Sequence, residues 1–250
     1  MKAIILAAGR GSRMGRYSDE RPKCLVEVAG KPLLEWQIAA LRGAGITDIA
    51  VVRGYRGETF ENRGVSLFDN PRWAQTNMVM SLAAAAPWLR QEACIISYAD
   101  IFYPAQAVRS LIQAEDGIAM TYDVNWLELW SARFEDPLSD AETFKLDGQS
   151  RVVEIGRKAK SLDEIQGQYM GLLKITPEGW GWIEELLAEA GPEAADKLDM
   201  TTLLNRLISA GRAVRGVAFN GFWGECDNPS DLTVYEAMTD LPERLADGSR

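Results

Sequence analysis

The stretch Leu6-Ala7-Ala8-Gly9-Arg10-Gly11-Ser12-Arg13-Met14-Gly15 sets two arginines among three glycines. A glycine-rich turn can aim its backbone N–H groups at phosphate oxygens, and guanidinium groups add charge and paired donors. Gly9 and Gly11 have the spacing of the first two glycines of a dinucleotide fingerprint, but position 14 is Met and no Walker lysine follows. Phosphate binding is one reading, and a plain turn with solvated arginines is the other. Residues 1–31 hold seven Lys/Arg and three acids, a local +4 in a chain of net charge −9. A basic mouth on an acidic body suggests a confined anion site and argues against a nucleic-acid or anionic-membrane surface.

The 250-residue chain contains no histidine. That excludes Ser-His-Asp and Cys-His triads, His-ligated zinc and any imidazole base. Chemistry here falls to carboxylates, Lys, Arg, backbone amides and a hard metal ion. Asp100 and Asp227 both lie in segments that read as loops next to strands, where each alone could equally be a turn residue or a helix cap. The three cysteines, Cys24, Cys94 and Cys226, are dispersed and form no CxxC pair, which fits a reducing compartment. The opening residues have too short an apolar core for a signal peptide, and no apolar run approaches a membrane span. A cytoplasmic location is the expectation.

The elements that must position these residues follow from periodicity. Short apolar runs at Ala3–Ala7, Asp48–Val52, Val65–Phe68 and Cys94–Tyr98 read as buried parallel strands. Between them, Pro32–Ala44 has helical spacing closed by glycines, and Asn77–Ala86 reads as an Ala-rich helix ended by Pro87. Further strands are expected at Ile118–Tyr122, Thr143–Leu146, Val152–Ile155 and Tyr169–Ile175, with few helices between them. This predicts antiparallel additions, such as a hairpin over the site. Helices at Glu178–Ala190 and Met200–Ala210, a strand at Ala213–Ala218 and a helix at Asp231–Thr239 complete the series. Ala188–Lys197 reads as a flexible connection and Asp247–Arg250 as a frayed end. No repeat or linker divides the chain. One α/β domain is expected over residues 1–250, with a nucleotide-binding half at 1–115 and an acceptor-binding half at 116–240.

Three blocks in order, Leu6-Ala7-Ala8-Gly9-x-Gly11-x-Arg13-Met14, Arg21-Pro22-Lys23-Cys24-Leu25-Val26 and Gly30-Lys31-Pro32-Leu33-Leu34, closely resemble the nucleotidyltransferase superfamily. The resemblance implies a Rossmann-like (GT-A-like), mostly parallel mixed sheet flanked by helices. It implies that Leu6, Ala7, Ala8, Gly9, Gly11 and Ser12 wrap the nucleoside triphosphate. It makes Lys23 catalytic and Arg13 the triphosphate clamp. It also implies a Mg²⁺ ion, with Mn²⁺ as a substitute, held by Asp100 and Asp227, and Glu225 as a third group acting through water.

Sugar enzymes of this superfamily usually carry a Gln-Pro-x-Gly-Leu-Ala block, which is absent. In its place, Thr76-Asn77-Met78-Val79-Met80-Ser81-Leu82 resembles the Asn…Ser-Leu block of phosphocholine cytidylyltransferase-like enzymes. Asn77 and Ser81 share a helix face and could bind cytosine or ribose, although Asn77 could merely cap the helix. Segments 97–103, 126–134 and 137–143 resemble a narrower branch that joins CMP to small phosphonates or phosphates, including aminoethylphosphonate, phosphonoformate and phosphoglutamine. By the same resemblance, Lys158 in Ile155-Gly156-Arg157-Lys158 meets the acceptor's phosphoryl group, and Tyr169 lines the acceptor pocket. Trp126, Trp130 and Tyr169 could cage a cationic acceptor, or the two tryptophans could be a core stripe. Arg133, Arg157 and Lys160 could instead pair an acceptor carboxylate; an acceptor with a carboxylate, or a zwitterion, is preferred here over choline, while Asp123 and Glu142 leave an amino-bearing acceptor open.

The expected partners are therefore CTP and a small phosphonate or phosphate, with no nucleic acid or membrane, and a homodimer is compatible. Two alternatives stand beside this: a sugar-1-phosphate nucleotidyltransferase, and a non-catalytic nucleotide-binding regulatory domain.

Overall fold

The computed structural model describes residues 1–247. Strands β1 (Lys2–Ala7), β2 (Ile49–Arg53), β3 (Ser66–Asp69), β4 (Cys94–Tyr98) and β5 (Ile118–Asp123) span four to six residues, and all but the edge strand β3, whose ends are exposed, are largely apolar runs. A crossed-over sheet with helices on both faces buries such runs on both sides. After the hairpin β6 (Glu142–Leu146) and β7 (Val152–Lys158) come β8 (Gln168–Ile175) and β9 (Val214–Phe219). Seven of these strands form one sheet in the order β9-β5-β8-β4-β1-β2-β3. Its parallel pairs are β1 with β2 and β4, β2 with β3, and β5 with β9. Only β8 runs against its neighbours, β4 and β5.

The second half is thus less antiparallel than its pattern suggested. β5 was expected among the antiparallel additions but runs parallel to β4 and β1 because the inverted β8 lies between them. The expected hairpin is β6–β7, which forms its own two-stranded sheet. Helices α1 (Leu33–Gly43), α2 (Met78–Ala84), α3 (Ala105–Ile112), α4 (Trp126–Arg133), α5 (Pro177–Ala190), α6 (Met200–Ser209) and α7 (Pro229–Glu236) cover the faces. Two apolar clusters result. One includes Ile5, Leu41, Val51 and Phe102, and the other Ile4, Leu82, Ile96 and Leu173. Ile4 and Ile5 therefore belong to opposite faces of one strand.

Two local expectations are corrected. Pro87 does not end the helix that precedes it: α2 stops at Ala84, and Pro87 sits in the first turn of a separate short helix, Ala86–Leu89, where its missing N–H is not needed. The segment 188–197 is not a flexible connection. Helix α5 runs to Ala190, Gly191 turns the chain at φ 74°, and Pro192–Asp196 forms another helix. Of the expected frayed end, only Asp247 is described, as the last residue of the helix Leu241–Asp247; residues 248–250 lie outside the described residues. All three cysteines are buried and free. Among the described residues no helix is long and apolar enough to cross a membrane.

Where β7 meets α6, Gly156 has φ 81°, and an added Cβ would lie 2.5 Å from Cβ of Thr201. The pairing of β7 with β6 shifts register between Ile155 and Lys158, so this glycine sits in a bulge that bends the hairpin onto the start of α6. Gly156→Ala is expected to cost roughly 2 kcal/mol of stability, from left-handed backbone strain and overpacking, measured by urea denaturation.

Candidate active site

The loop after β1 keeps its shape through its own residues. Met14, which spoils the dinucleotide pattern, is fully buried and plugs the loop into the core. The Ser18 hydroxyl lies 2.8 Å from the Gly11 carbonyl and 3.2 Å from that of Gly15, drawing both ends of the turn together. Gly11 has φ 69°, and a Cβ there would meet Cβ of Lys23 at 2.7 Å. Only glycine lets the loop pass this closely over the lysine.

Lys23 follows Pro22 in a short 3-10 turn whose Cys24 and Leu25 are buried. Its Nζ lies 2.8 Å from Asp100 Oδ2 and 2.5 Å from Asp227 Oδ1. Arg13 Nη2 donates to the same Asp227 oxygen at 3.0 Å. Burial alone would drive the proton off Lys23, but Asp100 and Asp227 reverse the effect and raise it above the ordinary lysine value. At an effective dielectric near 20, an ion pair about 3 Å apart attracts by roughly 5 kcal/mol, enough to offset much of such a burial penalty. Burial opposes the ionised form of Asp227 too, yet Lys23 and Arg13 hold its carboxyl below the usual range.

The two aspartates, 127 positions apart, meet because of a small ladder. Ile101–Phe102 pairs antiparallel with Gly224–Glu225, and Cys226 N–H donates to the Asp100 carbonyl at 2.9 Å. An added Cβ on Gly224 would stand 2.2 Å from the Phe102 ring, so glycine is required for this approach. Buried Gln37, on α1, donates to the carbonyls of Tyr98 and Ile101, fixing the turn that carries Asp100. Asp100, Glu225 and Asp227 each offer a carboxylate oxygen, and these lie within 4.8 Å of one another. Asp100 Oδ1 is buried without a hydrogen-bond partner. An all-oxygen set with one unsatisfied carboxylate oxygen fits a hard divalent cation. Glu225 is the weakest of the three, because burial and Asp227 push its carboxyl up to about 8 against the pull of Arg133.

Two cavities meet at this cluster. A cavity of about 290 Å³ is lined by Leu6, Ala7, Ala8, Gly9, Gly11, Ser12, Arg13, Lys23, Asn77, Ser81 and Asp100. All eleven residues expected around the nucleotide therefore face one space. Arg10 and Arg16 do not line it; Arg10 pairs with Asp19, and Arg16 lies over the Tyr17 ring. Asn77 caps α2 by accepting from Met78 N–H at 2.7 Å, so the capping alternative holds while the residue still lines the cavity. Trp73, Thr76 and Tyr98 line it without having been singled out for this role.

The neighbouring cavity, of about 450 Å³, shares Arg13, Met78 and Tyr98 with the first. Trp130 and Tyr169 line it. Trp126 does not: it is 5% exposed, packs edge-on to Trp130 and belongs to the core, the stripe alternative. Lys158 is exposed and lines neither cavity; the pairing of β7 slips between Val152 and Glu154 and again between Ile155 and Lys158, and Arg157 and Lys158 both lie at the surface. Lys160 is exposed and also outside both.

Arg133 is corrected most fully. Its side chain is 0% exposed and forks onto Asp231 at 3.0 and 3.2 Å and onto Glu225 at 2.9 Å. Asp231 in turn accepts from the N–H groups of Asp227 and Asn228. Arg133 thus secures the loop that presents Asp227 and has no free face for an acceptor. The cavity wall is instead acidic, with Asp140, Glu142 and Asp199 joining Glu225 and Asp227. Burial, then Asp140 and Asp199, raise the Glu142 carboxyl above its ordinary value. Asp123 lies elsewhere, accepting from Trp223 Nε1 at 2.9 Å. Glu142 had been weighed from sequence, but Asp140 and Asp199 gave no signal beyond those of a turn and a helix cap.

Comparison with known proteins places this geometry in context. Residues 3–162 match the model of the MobA-like NTP transferase domain. A CTP:phosphoglutamine cytidylyltransferase of Campylobacter jejuni is 37% identical over 256 residues, covering 94% of this chain and 98% of that one. Among solved structures, the inositol-1-phosphate CTP transferase from T. maritima superposes with TM-score 0.78 at 22% identity over 98% of this chain and 97% of the other. A CTP:phosphocholine cytidylyltransferase from Streptococcus pneumoniae gives 0.71 at 23% identity, covering 95% and 98%. These two show a shared fold.

The role given to Arg133 has a direct consequence. Arg133→Ala is expected to lower stability by about 3–5 kcal/mol, because Asp231 and Glu225 lose their counter-charge in a buried setting. Chemical denaturation measures it; an unchanged midpoint with only weaker acceptor binding would return Arg133 to the pocket.

Proposed function

Because this chain belongs to the MobA-like NTP transferase family, we propose that it transfers CMP from CTP to a small phosphate or phosphonate, with release of pyrophosphate. The observation that carries the reading is the Lys23–Asp100–Asp227 cluster standing where two cavities join, one walled by the glycine-rich loop and one by acids and aromatic rings. Similarity along nearly the whole length of a cytidylyltransferase supports it. So does the single sheet that runs through both halves of the chain, which we read as one domain with a nucleotide half and an acceptor half.

In the proposed reaction, an ionised acceptor oxygen attacks the α-phosphorus of CTP. A new P–O bond forms as the bond to the β-phosphate oxygen breaks, and pyrophosphate leaves with that electron pair. No base is needed, since a phosphate monoester is largely dianionic at neutral pH with a second pKa near 6. The glycine-rich loop and Arg13 hold the triphosphate, and Lys23, a cation throughout, neutralises charge building on the phosphates. Asp100 and Asp227 would hold Mg²⁺, which when bound adds charge neutralisation at the phosphates. Lys23 stands on the same two carboxylates.

The second cavity favours an acceptor that carries an ammonium group. Five carboxylates and one arginine line it, and Trp130, Phe144 and Tyr169 offer ring surface. An acceptor bearing only negative charge would face uncompensated carboxylates, whereas an ammonium offsets the repulsion that Asp140 and Asp199 add to burial in raising Glu142.

Pyrophosphate release in the presence of CTP tests both parts. Aminoethylphosphonate, phosphocholine and phosphoglutamine should support turnover at least about tenfold above phosphonoformate and phosphonoacetate. Lys23→Ala and Asp100→Asn should each reduce the rate by 100-fold or more, roughly 2.7 kcal/mol. Release with another triphosphate and a sugar phosphate, or near-normal rates in either variant, would overturn the assignment.

A further inference from the structure

Behind the nucleotide cavity a buried amide decides which way one hydroxyl points. Asn70 follows β3 directly and is 6% exposed. The Arg72 backbone N–H donates to its Oδ1 at 3.0 Å, which fixes the amide's orientation, because an N–H can only face the oxygen. The amide nitrogen therefore points the other way and donates to Thr76 Oγ1 at 3.1 Å and Ser81 Oγ at 3.0 Å. Thr76 passes its own hydrogen to the Arg72 carbonyl at 3.0 Å and is satisfied. Ser81 is different. Its oxygen accepts from Asn70, its hydrogen has no acceptor among the described residues, and the residue lines the cavity.

We propose that Asn70 is a positioning residue for the nucleobase. By occupying the Ser81 oxygen from behind, it leaves that hydroxyl a donor directed into the cavity, toward a carbonyl oxygen or ring nitrogen on the pyrimidine edge. The proposal rests on reading this cavity as the CTP site. The phosphates are accounted for by the glycine loop, Arg13 and Lys23, so a donor on α2 beside Trp73 and Thr76 falls to the nucleoside.

An isosteric change isolates the effect. Asn70→Asp offers only acceptors in place of the NH₂ group, so the Ser81 hydrogen turns back to the new carboxylate and away from the cavity. The expected result is a KM for CTP raised about tenfold with kcat within about twofold, the scale of one lost hydrogen bond. Ser81→Ala should give a similar rise. In the Ser81→Ala background, Asn70→Asp should add nothing further, because its action runs through that hydroxyl. 2′-Deoxy-CTP should suffer the same factor as CTP, since the contact is to the base. Additive losses, a fall in kcat at unchanged KM, or an effect that disappears with 2′-deoxy-CTP would each overturn the proposal. If circular dichroism shows that the Asp variant does not fold, Asn70→Ala takes its place in the same cycle, with the same non-additivity expected. Wild-type protein that fails to turn over CTP would count against the function itself, a separate outcome.

Discussion

A single ammonium group between two carboxylates organises this molecule. Lys23, Asp100 and Asp227 come from three distant parts of the chain, and none could be buried at this depth alone. Together they are mutually neutralised, and a ring of supports has grown around the contact. Gly11 allows the glycine-rich loop to cross the lysine, Gln37 secures the turn bearing Asp100, and a two-residue ladder draws in Asp227. Charged groups held this closely are stable only while the counter-charges stay in register, so the site's precision and its stability have one origin.

The supporting shell contains the larger ionic structure. Arg133 and Asp231 form a buried two-pronged pair, and Asp231 also caps the start of the helix that follows Asp227. This arrangement converts an otherwise irregular loop into a fixed platform. A buried ion pair of this kind contributes little net stability by itself, but it makes alternative loop positions costly by stranding charges. The same logic explains why an arginine near the second cavity is not available to a substrate: its side chain is fully buried and each of its three guanidinium nitrogens donates to Asp231 or Glu225.

Electrostatic contrast separates the two cavities. The first is walled by the glycine-rich loop, Lys23, Arg13 and one acid, Asp100, and the second by five acids and aromatic rings, with Arg13 between them. A polyanion and a zwitterion brought to such a junction are oriented before any chemistry, since each end of each substrate has one favourable side.

Much of this was readable in the chain before it was folded. The strand–loop–helix rhythm and the glycine loop were legible because local periodicity and short-range spacing carry them, Lys23 was nominated by the resemblance of its block to a superfamily, and the absence of histidine set the chemistry by elimination. Three-dimensional structure decided the rest. Whether Trp126 lies in the core or Trp130 at a cavity depends on helix rotation against neighbours, which a four-residue spacing leaves open. Lys158 lies at the surface at the end of a strand whose pairing slips twice, between Val152 and Glu154 and between Ile155 and Lys158, changes that no strand pattern records. Arg133 found Asp231 98 residues away, and Asn70 found Ser81 across a turn and a helix end. Sequence determined which groups could carry charge and phosphate; only tertiary packing decided which of them remained free to use it, because a side chain's availability depends on partners that the fold brings from elsewhere.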